Sequence, residues 1–248
     1  MKKAMFALAI VFIAVLLNGC HKGDNVNGKI FYGEKHKLGN GTVRSYVVLD
    51  GYRNPVSLGF NLTEKALSGL PTGDGMDNRL ILDLPAQGAV TGFNHLEVDW
   101  NPNGHDPLPI YGLPHFDLHF YLVGMDELMK IVPGPDMTPV APQFVPKDYT
   151  SGVVAVPNMG VHWADPLSPE FQGHTFTETF IYGFYKGNML FVEPMITLAF
   201  LNTRPDITLD VKQPQQYQKH AWYPTKYRVA YEPLQHQYYI SLEGLKKY

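Results

Sequence analysis

Residues 114–123 read PHFDLHFYLV, and two patterns are superposed in them. Phe116, Leu118, Phe120 and Leu122 fall at every second position, the spacing that lines one face of a β-strand. His115, Asp117, His119 and Tyr121 fall on the other face. The aromatic content favours a strand over a helix. Read as a helix, the stretch would instead bring His115 and His119 together at i and i+4, as in the HExxH zinc enzymes. The apolar row needs a core, and the polar row needs water, hydrogen bonds or an ion.

Distance sharpens the question of the polar row. Side chains two apart on a strand lie about 6.6 Å from one another, so His115 with Asp117, or Asp117 with His119, can reach one ion. His115 and His119, about 13 Å apart on a regular strand, sit near the limit for sharing it. A β-bulge, a loop conformation for His115 after Pro114, or the helical alternative would each bring them closer.

Other histidines come from separate stretches. PNMGVHWADP (157–166) carries His162, and NPNGHDP (101–107) carries His105. The expected metal ligands are His115, Asp117, His119 and His162, with His105 and Tyr182 as supporting or alternative ligands. Nothing in the surroundings of His95 or His174 is diagnostic, and Met159 and Met195, beside apolar residues, read as packing rather than as copper ligands. Zinc is the first choice of ion, with manganese or iron compatible with oxygen ligands.

Glu178 and Glu193 are the candidate catalytic carboxylates, because each stands among apolar neighbours, FTETFIYG and LFVEPMIT, where a lone buried charge is costly. A turn at Gly187-Asn188 would pair Tyr182 with Glu193 and place Glu178, Tyr182 and Glu193 on one face. A slip of one residue would move Glu193 to the other. Two classes of function stay open: a metalloprotein whose ion activates water next to a carboxylate, and a non-enzymatic binding or self-assembly module with structural histidines. No small-molecule ligand is specified by the sequence.

The bulk composition sets the frame. Charged residues make up 17%, aromatics 13%, and Gly and Pro number 23 and 20, a mixture that suits a mainly β fold with many turns. The expected architecture is an antiparallel sandwich or barrel-like domain over residues 29–248, with long loops and one or two short helices. Residues 42–50 and 55–60 read as one hairpin, 227–232 and 237–242 as another, and Thr63 as the N-cap of a helix over 64–70. With 20 basic and 23 acidic side chains, there is no charge excess to attract nucleic acid. No Gly-x-Ser-x-Gly elbow or nucleotide-binding glycine motif occurs.

The N-terminus carries its own signal. Met1-Lys2-Lys3 and the apolar run from Ala4 to Leu17 read as a signal peptide over 1–19. Leu17-Asn18-Gly19-Cys20 resembles a bacterial lipobox, so Cys20 is the expected acylation site and 20–28 a tether. Membrane attachment through that lipid, and a place in the cell envelope, in the outer membrane of a diderm, follow as expectations. Cys20 is the one cysteine of the 248 residues, which excludes intrachain disulfides and thiolate-rich zinc sites.

Three stretches, DWNPNGHDP…YGLPHFDLHFY, MGVHWADP and FIYGFYKGNMLFVEPMITLAFL, resemble a bacterial envelope family of unknown function with a founding member from Thermus. The resemblance covers about residues 42–245 and implies a secreted or lipid-anchored β-rich domain. His105, His115, Asp117, His119 and His162 lie within its motifs, and no activity comes with it. The histidine spacing of the cupins is absent, so cupin chemistry is not implied.

Overall fold

The computed structural model describes residues 28–73, 75 and 78–248. The expected signal peptide, the acylated Cys20 and the tether up to residue 27 lie outside them. Among the described residues no helix is long and apolar enough to cross a membrane.

Strands are numbered along the chain. They begin with β1 (Lys29–Tyr32), β2 (His36–Leu38), β3 (Gly41–Leu49), β4 (Pro55–Thr63), β5 (Arg79–Asp83), β6 (His95–Asn101), β7 (His115–Tyr121) and β8 (Gly134–Pro135). They continue with β9 (Thr150–Val156), β10 (Gly160–Ala164), β11 (Glu178–Tyr185), β12 (Asn188–Thr197) and β13 (Asp206–Asp210). The last four are β14 (Trp222–Tyr223), β15 (Lys226–Glu232), β16 (Gln237–Glu243) and β17 (Lys246–Lys247). The helices are short: α1 (Leu108–Tyr111), α2 (Met125–Leu128) and α3 (Leu198–Leu201).

A seven-stranded sheet runs β1-β3-β4-β16-β15-β13, with β2 also on β3, and an eight-stranded sheet runs β5-β6-β7-β12-β11-β10-β9-β8. The pairings are antiparallel. The two sheets pack face to face as a sandwich. Val43, Val47, Leu58, Phe60, Leu62, Val229 and Ile240 from the first meet Leu96, Val98, Phe116, Leu118, Phe120 and Val192 from the second. Edge-to-face contact of Phe60 with Phe120, ring centres 5.0 Å apart, and the Phe180–Tyr227 pair at 5.3 Å, tie the layers together.

This core orients β7. Phe116, Leu118 and Phe120 are fully buried, and each such side chain stabilises the fold by about 1.5–3 kcal/mol through burial. Sliding β7 by one residue would exchange all three for His115, Asp117 and His119, so the register is strongly held. The polar row therefore faces away from the sandwich core, yet it is not in water: His115, Asp117 and His119 are 0, 5 and 0% exposed. Two smaller apolar clusters cover it, one of Tyr111, Phe176, Ile181 and Met195, the other including Tyr121, Val161, Leu190 and Phe191.

Two local expectations fail for identifiable reasons. Residues 64–67 form a 3-10 turn rather than a helix to Leu70. Thr63 does not cap it, because its backbone belongs to β4 opposite Gln237 and its Oγ1 accepts a hydrogen bond from Thr42 N. In the β11–β12 hairpin the turn is Lys186-Gly187, both at positive φ, with Tyr185 facing Asn188. That conformation suits a two-residue hairpin turn. A register shift after Gly183 then places Glu193 opposite Ile181 and Glu178 opposite Ile196.

Candidate metal centre

The register across β6, β7 and β12 builds a polar patch on the outer face of the eight-stranded sheet. Asn101, Asp99 and Glu97 on β6 stand opposite His115, Asp117 and His119 on β7. On the other side, Thr197 and Met195 of β12 face His115 and Asp117, and Glu193 follows on the same face. His162 arrives from β10, opposite Gly183.

The histidines and carboxylates divide into two trios. In each, one ligand atom per residue lies within 4.8 Å of the others: His105, His115 and Asp117 in one, His119, His162 and Glu193 in the second. The long reach between His115 and His119 is thus resolved without bending β7, since each joins a different partner set. These buried groups could hold a metal ion.

The first trio is defined by hydrogen bonds on its far side. His115 Nδ1 donates to the Leu113 carbonyl at 2.6 Å, and His105 Nδ1 to the Asp106 carbonyl at 2.8 Å. A carbonyl oxygen only accepts, so the proton of each ring is fixed on Nδ1 and Nε2 is left to face the site. His115 Nε2 lies 3.1 Å from Asp117 Oδ1, and His105 Nε2 lies 3.3 Å from Oδ2. His115 Nε2 and Asp117 Oδ1 are buried and have no hydrogen-bond partner among the described residues. In the neutral His115 ring these are two electron-rich atoms aimed at each other. Asn101 Nδ2 donates to Asp117 Oδ2 at 2.8 Å and holds the carboxylate in place. Tyr111 against His105 and Phe176 against His115 wall the trio with aromatic rings.

The second trio has looser contacts and drier surroundings. Glu193 Oε2 is 3.5 Å from His119 Nε2 and 3.7 Å from His162 Nε2. Neither ring nitrogen of His119 and not Glu193 Oε2 has a hydrogen-bond partner among the described residues. Ligands about 2.0–2.2 Å from a tetrahedral zinc ion stand about 3.3–3.6 Å apart. The histidine-to-carboxylate distances in both trios are near that edge length. Phe191 lies edge-on to both rings, 4.8 Å from His119 and 5.3 Å from His162. A Cβ on Gly183 would collide with that phenyl ring, so the glycine makes room for it.

Electrostatics separates the trios. Burial opposes charge on Asp117, but the imidazoles of His105 and His115 beside it outweigh burial and hold its pKa well below the usual carboxylate range. Burial likewise works against His105, yet Asp117 pushes its pKa up to about 9. Without an ion the first trio is therefore an imidazolium–carboxylate pair. In the second, burial lowers His119 well below an ordinary histidine and takes His162 to about 4. Burial, reinforced by Asp117, Asp99 and Glu97, raises Glu193 well above an ordinary carboxylate.

Glu97 and Asp99 extend the patch. Glu97 is fully buried and pairs with Arg79 Nη2 at 2.6 Å. Burial outweighs Arg79 and pushes Glu97 to about 7, and burial with Asp117 raises Asp99 to about 6. These side chains, with Arg79 and Asn101, are the part of the site that sequence reasoning passed over. The signal was present in the alternation of His95, Glu97 and Asp99 against Leu96, Val98 and Trp100. His95 is buried and stacks on Tyr121 rather than joining either trio.

Two expected residues stand elsewhere. Tyr182 points into the sandwich core and donates its hydroxyl to the Lys212 carbonyl at 2.9 Å. Glu178, half-buried, shares that opposite face, so it is not beside Glu193. Both follow from the one-residue change of register in the β11–β12 hairpin. Glu193 itself stands among the ligand atoms of His119 and His162.

A family model described as TTHB210-like, for the hypothetical protein TTHB210, matches residues 50–100. The matched stretch spans β4, β5 and nearly all of β6, including Glu97 and Asp99, and stops before His105. No curated protein and no solved structure matches the chain. The match supports similarity to a Thermus-founded family of unknown function over that segment.

Proposed function

We propose that this chain is a divalent-metal-binding protein of the bacterial cell envelope, tethered to the membrane by an acylated Cys20, with zinc as its first-choice ion. One observation carries the metal reading: with Nδ1 of His115 committed to the Leu113 carbonyl, its buried Nε2 faces Asp117 Oδ1 at 3.1 Å, and neither atom has a hydrogen-bond partner among the described residues. Such an arrangement is repulsive unless a cation or an added proton lies between the two atoms. His105 Nε2, 3.3 Å from Asp117 Oδ2, completes the trio within 4.8 Å. Three protein ligands leave a position for water, the pattern of catalytic rather than closed structural zinc sites. A bound ion would lower the pKa of that water. The envelope location rests on the lipobox-like Leu17–Cys20 and the apolar run before it.

The test is metal content and chelator response of the full chain purified in detergent. Expected are stoichiometric divalent metal, a fall in Tm on chelation, and loss of the metal from the Asp117 trio in His115→Ala with the fold retained by circular dichroism. A folded protein that takes up no divalent ion at any trio overturns the metal reading.

A self-association module is the second reading, and it has its own support. Val132, Met137, Val153, Val154 and Val156 are exposed around β8 and β9, at one edge of the eight-stranded sheet. Sedimentation velocity at several concentrations tests it, and a monomer throughout removes it.

A further inference from the structure

We infer that His119, His162 and Glu193 bind a second divalent cation, separate from the one at Asp117 and open to solvent beside His162. The inference rests on the metal reading above and adds a second ion and a different degree of access. Three independent observations support it.

The ligand atoms form two closed sets, and no atom belongs to both. Asp117 and His119 are neighbours on one face of β7, so their side chains leave the strand about 6.6 Å apart. Metal ions that share a bridging ligand in two-metal enzymes are about 3.5–4 Å apart. The two trios are therefore read as two mononuclear positions.

The second trio also contains buried polar atoms for which the protein offers no partner. His119 is 0% and Glu193 1% exposed, and both His119 nitrogens and Glu193 Oε2 lack a hydrogen bond among the described residues. Orphaned buried groups of this kind destabilise a fold unless something satisfies them. A cation at their common focus satisfies Glu193 and one nitrogen of each imidazole.

The backbone opposite His162 is irregular. Residues 152–154 of β9 bulge opposite it, the register shifting between Val161 and Trp163. Val153 sits there at φ 59, a conformation that β-branched residues rarely adopt. Bulges re-aim a side chain, and they concentrate beside functional sites. The His162 side chain remains 30% exposed, which gives the second ion its route to solvent and to an exogenous oxygen ligand.

The experiment is a titration of the full chain, chelated beforehand, with zinc ion, read by calorimetry and by metal analysis after desalting. The wild type is expected to take two equivalents. His162→Ala and the near-isosteric Glu193→Gln should each lose one, with affinity at that position falling at least about tenfold, while Asp117→Asn loses the other. Circular dichroism and Tm establish that each variant folds, and the partly exposed His162 keeps the test available if Glu193→Gln does not. One equivalent in the wild type that persists in His162→Ala and Glu193→Gln but is lost in Asp117→Asn, or two in both His162→Ala and Glu193→Gln, overturns the second site while leaving the first intact. No equivalents at all remove the metal reading itself.

Discussion

The two trios use the same residue types, two histidines and a carboxylate, yet they are opposite in character. At Asp117 the carboxylate is ionised and His105 carries a proton, because the two stand 3.3 Å apart and each holds the other's charge against burial, with His115 also beside the carboxylate. At Glu193 the same groups are neutral, because burial dominates; the neighbouring carboxylates add to it at Glu193, while at His119 and His162 it outweighs the opposing charge of Asp117. The lesson is that ligand identity does not set a site's resting charge. The balance between burial and the charges packed beside each group does.

The largest expected effect breaks the neighbourhood of the neutral trio. Arg79→Ala leaves Glu97 buried without its ion-pair partner, and removing one partner of a buried pair costs about 3–5 kcal/mol. Chemical denaturation above pH 8 should show this loss, and a smaller one near pH 5, where Glu97, with its pKa of about 7, is protonated. Zinc uptake at the Asp117 trio should be unchanged.

The next effect sharpens the charged side of the comparison. His105 has its folded pKa raised to about 9. The stability it contributes is fully present below the unfolded value and is lost as pH rises through about 9. A metal ion must displace that proton, so zinc affinity at this trio should rise with pH over the same window, at most about tenfold per unit. His105→Ala should flatten the slope in a calorimetric pH series. A slope that persists in the variant would assign the proton to another group.

The smallest effect concerns orientation. Asn101→Ala removes the donor on Asp117 Oδ2, and affinity at this trio should fall about tenfold. Affinity at the Glu193 trio should not change, since Asn101 stands opposite His115 rather than His119.

Much of the fold was legible in particular residues. The alternation of Phe116, Leu118 and Phe120 announced a strand with a core side, and both the β3–β4 and β15–β16 hairpins lie where their turn residues place them. Burial of the polar face was less legible, because the covering residues Val161, Phe176 and Ile181 come from distant segments. In the β11–β12 hairpin the parity depended on a turn one residue earlier and on a register shift beyond it, which together send Glu178 and Tyr182 to the core side. His115, Asp117, His119 and His162 could be named from their spacing and aromatic context. Their division into two sets could not, because it depends on the loop carrying His105 and on the bulge facing His162.

β7 contributes His115 and Asp117 to one set and His119 to the other, while Phe116, Leu118 and Phe120 pin it from behind. The strand thereby acts as a ruler. Any molecule that touched both positions at once would need donor groups spaced to a fixed interval of roughly 6.6 Å or more. Compact ions would engage one end at a time, and only an elongated, two-headed ligand could engage both.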